Sequence, residues 1–326
     1  MDEREILTPT PIVRLGEDEN GNELYVKRED LLPFSFGGNK VRIALEYLRD
    51  MRAVGGDHII AYGNARSNLC RVLSGLCYAR GIPCTVLSPA NDDGTRTESY
   101  NLMMSRAFGA QIVPCLKTGV AETVDAALAA SRAAGHTPYY IYGDRTGQGN
   151  RATPVAAYVK VYGEIVRQEQ ALGLRFDAIV HASGTGMTQA GLLCGAALAG
   201  DVQRRIVGIS IARGAENATA QIRRYVEAYL AQAKAADAAV PPILFDDRFA
   251  LHYGESTPEM RRCIRDALRR HGLPLDTTYT GKAFFGMTQR LREQRGKRVL
   301  FLHTGGTPLF FDQAGAILNV AEDETK

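Results

Sequence analysis

Short apolar runs and longer amphipathic stretches alternate along most of the chain. The runs, each closed by Gly, Asn, Asp or Ser, predict β-strands at residues 58–62, 83–87, 111–114, 139–142, 178–182, 206–211 and 299–303. The stretches between them predict helices at residues 40–51, 68–80, 98–108, 121–134, 155–172, 188–198, 218–236, 258–270 and 282–295. Because two parallel strands need a crossover that a helix supplies, this alternation predicts an α/β fold with mostly parallel sheets.

The length of the chain suggests two domains. It has 326 residues, against a usual ~150 per domain, and no Pro- or Ser-rich linker divides it. We therefore expect one domain to be inserted into the other. The predicted smaller domain is residues 47–164, and the larger one is residues 1–46 with 165–326.

Composition and charge exclude several classes of partner. Lys and Arg total 39 against 36 Asp and Glu, a net charge of +3, which argues against nucleic acid or an anionic membrane as the main partner. No apolar run reaches the ~18 residues of a membrane span, and the first residues lack the basic and apolar regions of a signal peptide, so we expect a cytoplasmic protein. The six cysteines form no CxxC pair and no zinc spacing with histidine, which favours free thiols and no metal.

Two predicted strands end in glycine turns. The first turn is Gly184, Thr185, Gly186, Met187 and Thr188, directly before a predicted helix. A strand, a glycine turn and a helix N-terminus together present free backbone N–H groups to a phosphate, although the same residues also suit a plain tight turn. The next glycine after Gly186 is Gly191, so the dinucleotide spacing GxGxxG is not met. The second turn, Thr304 with Gly305 and Gly306, closes the last strand.

One lysine and one polar turn complete the candidate chemistry. Of eight lysines, Lys40 alone follows a Gly-Gly-Asn turn at a predicted helix start, where the positive helix end favours the neutral, nucleophilic amine. An ordinary surface lysine is the alternative interpretation. Ser67 and Asn68 start another predicted helix, where they serve either as a cap or as part of a site for a substrate carboxylate.

Taken in order along residues 8–311, these motifs resemble a known family. The motifs are GGNK at Lys40, the Ser67-Asn68 turn, the glycine turn at 184–188, LDTTYTGKA around Tyr279 and HTGGT around Thr304. The set resembles the D-cysteine desulfhydrase and 1-aminocyclopropane-1-carboxylate deaminase family of pyridoxal-phosphate enzymes. The resemblance implies the tryptophan synthase β-like fold, fold type II, with two open twisted sheets flanked by helices and the cofactor between the domains.

The resemblance also implies roles for particular residues. Lys40 would bind pyridoxal 5'-phosphate covalently and move the proton at the substrate Cα. The cofactor phosphate would lie on Gly184, Thr185, Gly186, Met187 and Thr188. Asn68 would lie beside the ring hydroxyl, and Thr304, with Gly305, beside the pyridine nitrogen. The substrate would contact Ser67, Asn68, Leu69, Tyr253 and Tyr279, of which Ser67 and Tyr279 would also be catalytic.

The implied reaction is β-elimination on a small amino acid with a β leaving group, giving pyruvate, ammonia and, from D-cysteine, sulfide. The deaminase branch has Glu where this chain has Thr280, which favours the desulfhydrase branch, but that branch usually has His where this chain has Leu69. The alternatives are therefore 1-aminocyclopropane-1-carboxylate deaminase, L-cysteate lyase and a β-replacement synthase. For L-cysteate, Arg66, Arg213 and Arg248 are the candidate sulfonate partners. A non-catalytic homologue that only binds the cofactor is a further alternative, and the family resemblance suggests a homodimer.

Overall fold

A computed structural model of the chain describes residues 3–90, 95 and 98–319. The chain divides into two compact units, Met1–Asn39 with Ala157–Lys326, and Lys40–Ala156. Both divisions fall inside or at the start of helices rather than in linkers. The domain boundaries proposed from the sequence, at residues 46/47 and 164/165, stay a prediction.

The larger unit is built on a six-stranded sheet. Its strands are β1 (Ile12–Glu17), β2 (Glu23–Lys27), β7 (Ala178–Ser183), β8 (Arg205–Ser210), β9 (Leu244–Asp246) and β10 (Arg298–Leu302). Their order across the sheet is β1-β2-β10-β7-β8-β9, and all neighbours are parallel except β1 and β2. In this register Leu302 of β10 pairs with His181 of β7, so the carboxyl ends of these two strands lie side by side.

Helices surround this sheet. They are α1 (Glu3–Ile6), α6 (Thr153–Leu172), which begins in the smaller unit, α7 (Met187–Leu198), α8 (Ala215–Gln232), α9 (Pro258–His271), α10 (Thr280–Leu291), α11 (Thr307–Asp312) and α12 (Ala314–Leu318). The core lies between the sheet and α9 and α10. In it Phe284 packs edge-on against Phe301, with ring centroids 5.1 Å apart, and Val180, Ile209 and Met287 are buried with them. This apolar packing fixes α10 against the central strands.

The smaller unit has a four-stranded parallel sheet. Its elements are α2 (Asn39–Ala53), which starts at the last residue of the larger unit, β3 (His58–Tyr62), α3 (Asn68–Tyr78), β4 (Cys84–Pro89), α4 (Tyr100–Ala107), β5 (Gln111–Cys115), α5 (Val120–Ala133) and β6 (Pro138–Tyr140). The strand order is β5-β4-β3-β6. The successive strands β3, β4 and β5 pair in parallel, as the alternating pattern predicts, and β6 pairs in parallel with β3.

Every predicted strand and helix is present, with ends shifted by a few residues. The structure adds three strands that the pattern missed: β1, β2 and β9. Strand β2 has a charged residue at each end, so its sequence is not an apolar run. Its Lys27 is nevertheless buried, because its ammonium pairs with the Glu164 carboxylate, with Nζ 2.6 Å from Oε1.

Two predicted helix ends are wrong. Helix α8 ends at Gln232 rather than at residue 236, because Lys234 adopts a left-handed φ of 56° and the Ala235 N–H donates to the Leu230 carbonyl at 2.9 Å. Helix α10 ends at Leu291 rather than at residue 295, because the Leu291 carbonyl accepts the Gln294 N–H at 3.0 Å and Nδ2 of Asn22 at 3.1 Å instead of a helical N–H.

Within the described ranges, we find no helix with the length and apolar character that crossing a membrane requires. All six cysteines are free, and all but Cys263 are buried.

Candidate active site

The first glycine turn connects a fully buried strand to a helix. Gly186 has φ of 90°, and α7 begins at Met187, with its first backbone hydrogen bond from Ala190 N–H to the Gly186 carbonyl at 2.9 Å. The N–H groups between these residues precede the ladder of the helix and remain available to an anion at its positive end. At Gly184 a Cβ atom would lie 3.0 Å from Ile211 Cδ1, so a larger residue would crowd this turn.

The second glycine turn leaves the neighbouring strand at the same edge of the sheet. Gly305 and Gly306 have φ of 93° and 98°, a region that side chains disfavour. The Gly305 N–H donates to Nδ1 of the fully buried His303 at 3.2 Å, and burial lowers the pKa of this imidazole. A neutral His303 therefore accepts the hydrogen bond that shapes the start of the turn.

The Gly-Gly-Asn turn bridges the other two. Gly38 packs so closely on the second turn that a Cβ atom there would lie 2.9 Å from the Thr304 carbonyl oxygen. Asn39 donates its backbone N–H to that same carbonyl at 3.1 Å and its side-chain Nδ2 to Thr188 Oγ1 at 2.9 Å. All of these residues belong to the larger unit, so three motifs far apart in sequence meet at one residue.

Lys40 follows Asn39 directly and is the first residue of the smaller unit. It lies in the first turn of α2 and is partly buried. Loss of solvent lowers the pKa of its ammonium to about 8, because burial penalises the charged form. An amine with this pKa is a far better nucleophile near neutral pH than an ordinary lysine.

Two tyrosines lie beside the first glycine turn. Tyr279 precedes α10, and a Cβ atom on Gly184 would lie 3.9 Å from its Cε1. The Tyr279 hydroxyl hydrogen-bonds the hydroxyl of Tyr253, and the two rings meet edge to face with centroids 5.8 Å apart. The larger unit thus brings the glycine turns, Thr304, Tyr253 and Tyr279 into one region.

Asp276 is a structural residue of this region that the sequence analysis did not single out. It is fully buried, and its carboxylate accepts the N–H groups of Thr278, Tyr279 and Thr280 and the hydroxyl of Thr280, at 2.7–3.1 Å. Burial nevertheless raises the pKa of this carboxyl. A Cβ atom on Gly306 would lie 2.3 Å from Asp276 Oδ2, so the second glycine turn rests on this carboxylate. An Asp shortly before a predicted helix is a common N-terminal capping residue, and this pattern could have pointed to Asp276 in the sequence.

The smaller unit holds the polar turn before α3. Ser67 caps the helix, since its Oγ accepts the Cys70 N–H at 3.2 Å. Asn68 Oδ1 accepts Nδ2 of Asn101 on α4 at 2.9 Å, and the same amide donates to the Arg66 carbonyl at 3.0 Å. Ser67 and Asn68 are partly exposed, whereas Leu69 is 5% exposed and packs inside the unit. Asn101 is a second positioning residue that the sequence analysis missed.

Arginines considered as sulfonate partners are partly committed elsewhere. Arg248 forms a two-point ion pair with Asp246, with Nε 3.0 Å from Oδ1 and Nη2 2.7 Å from Oδ2. Arg213 is an exposed residue, and its backbone N–H donates to Ser210 Oγ at 2.9 Å.

Comparison with known proteins gives full-length matches. Residues 4–305 match the family model described as pyridoxal-phosphate dependent enzyme. The chain is 32% identical to a D-cysteine desulfhydrase of Serratia proteamaculans, over 93% of this chain and 92% of that protein. It is 33% identical to a 1-aminocyclopropane-1-carboxylate deaminase of a Methylobacterium species, over 95% and 96%. A crystal structure of an ACC deaminase homologue superposes with a TM-score of 0.82 at 28% identity, covering 96% of this chain and 94% of that one.

Proposed function

The chain belongs to the family of pyridoxal-phosphate dependent enzymes, and from this premise we propose that it catalyses β-elimination on a small amino acid that carries a leaving group on its β-carbon. D-Cysteine is the proposed substrate, and with one molecule of water it gives pyruvate, ammonia and sulfide. Family membership confirms the enzyme class, the cofactor and the α/β fold type that the sequence predicts. The residue roles below remain part of the proposal.

The observation that carries the proposal is the double attachment of Asn39. This residue is hydrogen-bonded to Thr188 of the first glycine turn and to Thr304 of the second, and Lys40 is its neighbour in the chain. One peptide bond spans only ~3.8 Å between Cα atoms, so the backbone of Lys40 is held within one residue of these two attachments. An ordinary surface lysine requires no such anchoring.

The residues present fit a pyridoxal-phosphate group. Backbone N–H groups at residues 184–188 and the positive end of α7 suit its phosphate without any basic side chain. The amine of Lys40, with its pKa lowered to about 8, suits covalent attachment to its aldehyde. Thr304 is proposed to contact the pyridine nitrogen, and Asn68 the ring hydroxyl. When bound, the cofactor supplies a sink for the electron pair released at the substrate Cα.

Each protein group then has a defined task. Lys40 takes the proton from the substrate Cα once its amine is free, and the pair that remains leaves toward the β-carbon and expels the leaving group. Ser67 contacts the substrate carboxylate or transfers a proton, and Tyr253 and Tyr279 line the substrate side. The Ser67 hydroxyl already accepts the cap hydrogen bond from Cys70, which leaves its own proton available to donate.

Thr280 favours elimination over opening of a cyclopropane ring. Its hydroxyl donates to Asp276 Oδ2 at 2.7 Å and accepts the Asp276 N–H at 3.0 Å, and the side chain is fully buried. A group committed to the start of α10 in this way cannot serve the cofactor nitrogen as the glutamate of the deaminase branch would. The chain therefore departs from the deaminase pattern in chemistry as well as in residue type.

Borohydride reduction of the purified enzyme tests the cofactor attachment. Reduction followed by peptide mapping is expected to place the label on Lys40, and the variant Lys40→Ala is expected to show none. Lys297→Met, at an exposed lysine, is the control and keeps the label. A label on another lysine would contradict the proposal.

A substrate panel tests the reaction. Pyruvate release is measured with D- and L-cysteine, L-cysteate, β-chloro-D- and β-chloro-L-alanine, and with 1-aminocyclopropane-1-carboxylate, for which 2-oxobutanoate is measured. We expect the highest kcat/KM with D-cysteine and no ring opening. Turnover of the cyclopropane alone would replace the proposal with the deaminase, and no turnover of any compound by the loaded protein would indicate a non-catalytic homologue.

The cytoplasmic location and the homodimer belong to the same proposal. They rest on the family resemblance. Light scattering coupled to size-exclusion chromatography is expected to give twice the 35.5 kDa mass of one chain. A mass of one chain at micromolar concentration would remove the dimer from the proposal.

A further inference from the structure

Lys282 is a buried lysine that the reaction described above does not use. It lies in the first turn of α10, its side chain is fully buried, and its Nζ donates to the carbonyl of Ile211 at 2.8 Å and to that of His252 at 3.1 Å. Burial lowers the pKa of this ammonium to about 8, while the nearby carboxylates of Glu255 and Asp276 act in the opposite direction. Burying an ammonium costs free energy that an apolar side chain would avoid. We therefore ask what the two hydrogen bonds of Lys282 do for the protein.

The two acceptors belong to segments that surround the proposed substrate side. Ile211 directly follows β8, and its side chain is the one that a Cβ atom on Gly184 would meet. His252 lies in the loop of residues 247–257, between β9 and α9, and directly precedes Tyr253. The His252 carbonyl also accepts the Glu255 N–H at 3.0 Å. Lys282 therefore joins the loop to the segment beside the first glycine turn.

The two hydrogen bonds of Lys282 to the Ile211 and His252 carbonyls are called the clamp below. The helix start that carries Lys282 is tightly packed. At Gly281 a Cβ atom would lie 2.3 Å from Ile264 Cδ1 and 2.7 Å from the Asp276 carbonyl oxygen, so the start of α10 packs tightly on α9 and on the Asp276 turn. Tyr279 lies three residues before Lys282, and its hydroxyl hydrogen-bonds the hydroxyl of Tyr253. Thus one helix start contacts the loop twice, through the ammonium at the backbone and through the tyrosine hydroxyl at the side chain.

We propose that Lys282 is a positioning residue that fixes the loop of residues 247–257 to the end of β8 and so holds Tyr253 against Tyr279. The ammonium acts through backbone carbonyls, so this contact uses no side chain of the loop. Its effect on turnover rests on the proposed function, since it works through the two tyrosines. Its effect on the loop does not, and it exists in the protein without substrate.

Hydrogen exchange of the cofactor-free protein tests the clamp directly. In Lys282→Met, which keeps the length and loses both hydrogen bonds, we expect amides of residues 247–257 to exchange at least about tenfold faster. Exchange in β7, β10 and the smaller unit is expected to match the wild type. Lys297→Met, an exposed lysine of the same unit, is the matched control and leaves the loop unchanged.

Steady-state kinetics supply the second measurement. With the best substrate of the panel, Lys282→Met is expected to raise KM about tenfold while kcat changes about twofold or less, because a displaced Tyr253 weakens substrate contact more than proton transfer. Should the Met variant fail to fold, Lys282→Gln replaces it, since its neutral amide is one bond shorter and keeps N–H donors. The Gln variant is expected to show the same two changes at smaller amplitude.

Two results would overturn the proposal. One is loop exchange at the wild-type rate in a folded Lys282→Met or Lys282→Gln protein. The other is a uniform rise in exchange across the larger unit, which would make Lys282 a general stability residue. If the panel finds no substrate at all, the proposed function fails, while faster exchange confined to residues 247–257 still supports the clamp.

Discussion

The two units fix their polar turns by different physical means. In the larger unit, glycines allow close packing, because the backbone of Gly38 contacts the backbone of Thr304 and that of Gly306 contacts the Asp276 carboxylate. In the smaller unit, side chains at the start of α4 hold the turn before α3, since Oγ of its N-cap Ser99 donates to the Ala65 carbonyl at 2.5 Å and Asn101 donates to that of Arg66. The larger unit thus depends on glycines that have no side chain, and the smaller unit depends on side-chain hydrogen bonds.

This difference determines how each unit tolerates change. A close backbone contact has no flexible atom that can move aside, so an added methyl group must shift the chain. A side-chain hydrogen bond can be removed with a smaller structural response, although the buried groups that lose a partner cost free energy. We therefore expect glycine substitutions in the larger unit to have larger effects than amide substitutions in the smaller one.

The largest expected effect is that of Gly38→Ala. The new Cβ would lie 2.9 Å from the Thr304 carbonyl oxygen at a residue with φ of 96°. We expect the free energy of unfolding to fall by about 2–4 kcal/mol, measured by urea denaturation, and covalent capture of pyridoxal phosphate to be lost.

Gly55→Ala is the control for this substitution. Gly55 has φ of 74° but nothing within 4 Å of an added Cβ, so it measures the cost of the backbone conformation alone, about 1–2 kcal/mol. Equal losses in the two variants would show that the contact with Thr304 contributes nothing.

The same difference explains what could be predicted from the sequence. Glycine-rich turns can be recognised in the sequence itself, so it predicts the turns at Gly38, Gly184 and Gly305 and singles out the lysine that follows the first of them. The role of Asn101 cannot be predicted from the sequence. No local pattern in α4 shows that the Asn101 amide contacts a turn more than thirty residues earlier in the chain.

Strand β2 shows a second limit of the sequence. Its last residue, Lys27, is fully buried and bonded to Glu164 and Gln168, at 2.6 and 2.8 Å, far along the chain. A pattern that treats lysine as exposed cannot predict this strand, since the compensating charge comes from tertiary structure. Lys282 is not among the predicted site residues, because the sequence singles out only the lysine that follows a Gly-Gly-Asn turn.

Asn101→Ala is expected to have the next largest effect. Asn101 is 1% exposed, and its Nδ2 supplies two hydrogen bonds, to Asn68 Oδ1 and to the Arg66 carbonyl. Their loss is expected to lower the free energy of unfolding by about 1–3 kcal/mol and to raise KM, because Asn68 loses its support. Asn217→Ala, at an exposed position of α8, is the control, and a loss no greater than in that variant would refute the role.

A pH series sharpens the comparison at Lys40, the first residue of the smaller unit. With a pKa of about 8, the neutral fraction of this amine rises about tenfold per pH unit below pH 8 and levels off above it. We expect the rate of pyridoxal-phosphate capture by cofactor-free protein to follow this curve. A peptide copying residues 36–44 is the control, and its rate keeps rising to pH ~10, near the ordinary lysine pKa.

The lowered pKa also fixes the sign of the effect on stability. Between pH 8 and about 10.4 the unfolded chain binds the proton that the folded chain has released, so the contribution of Lys40 to stability increases with pH across this window. A capture rate that keeps climbing above pH 9, as in the peptide, would show that Lys40 is not desolvated.

Leu69→Met carries the smallest expected effect and decides between packing and specificity. Leu69 is 5% exposed inside the smaller unit, so a swap that nearly conserves volume should cost less than about 1.5 kcal/mol. If Leu69 only packs under the turn, the order of kcat/KM values across the substrate panel stays that of the wild type, as it does in the control Leu198→Met at an exposed leucine. A changed order with unchanged stability would instead make Leu69 a specificity residue, and the smaller unit would then select the substrate by an apolar contact as well as by its polar turn.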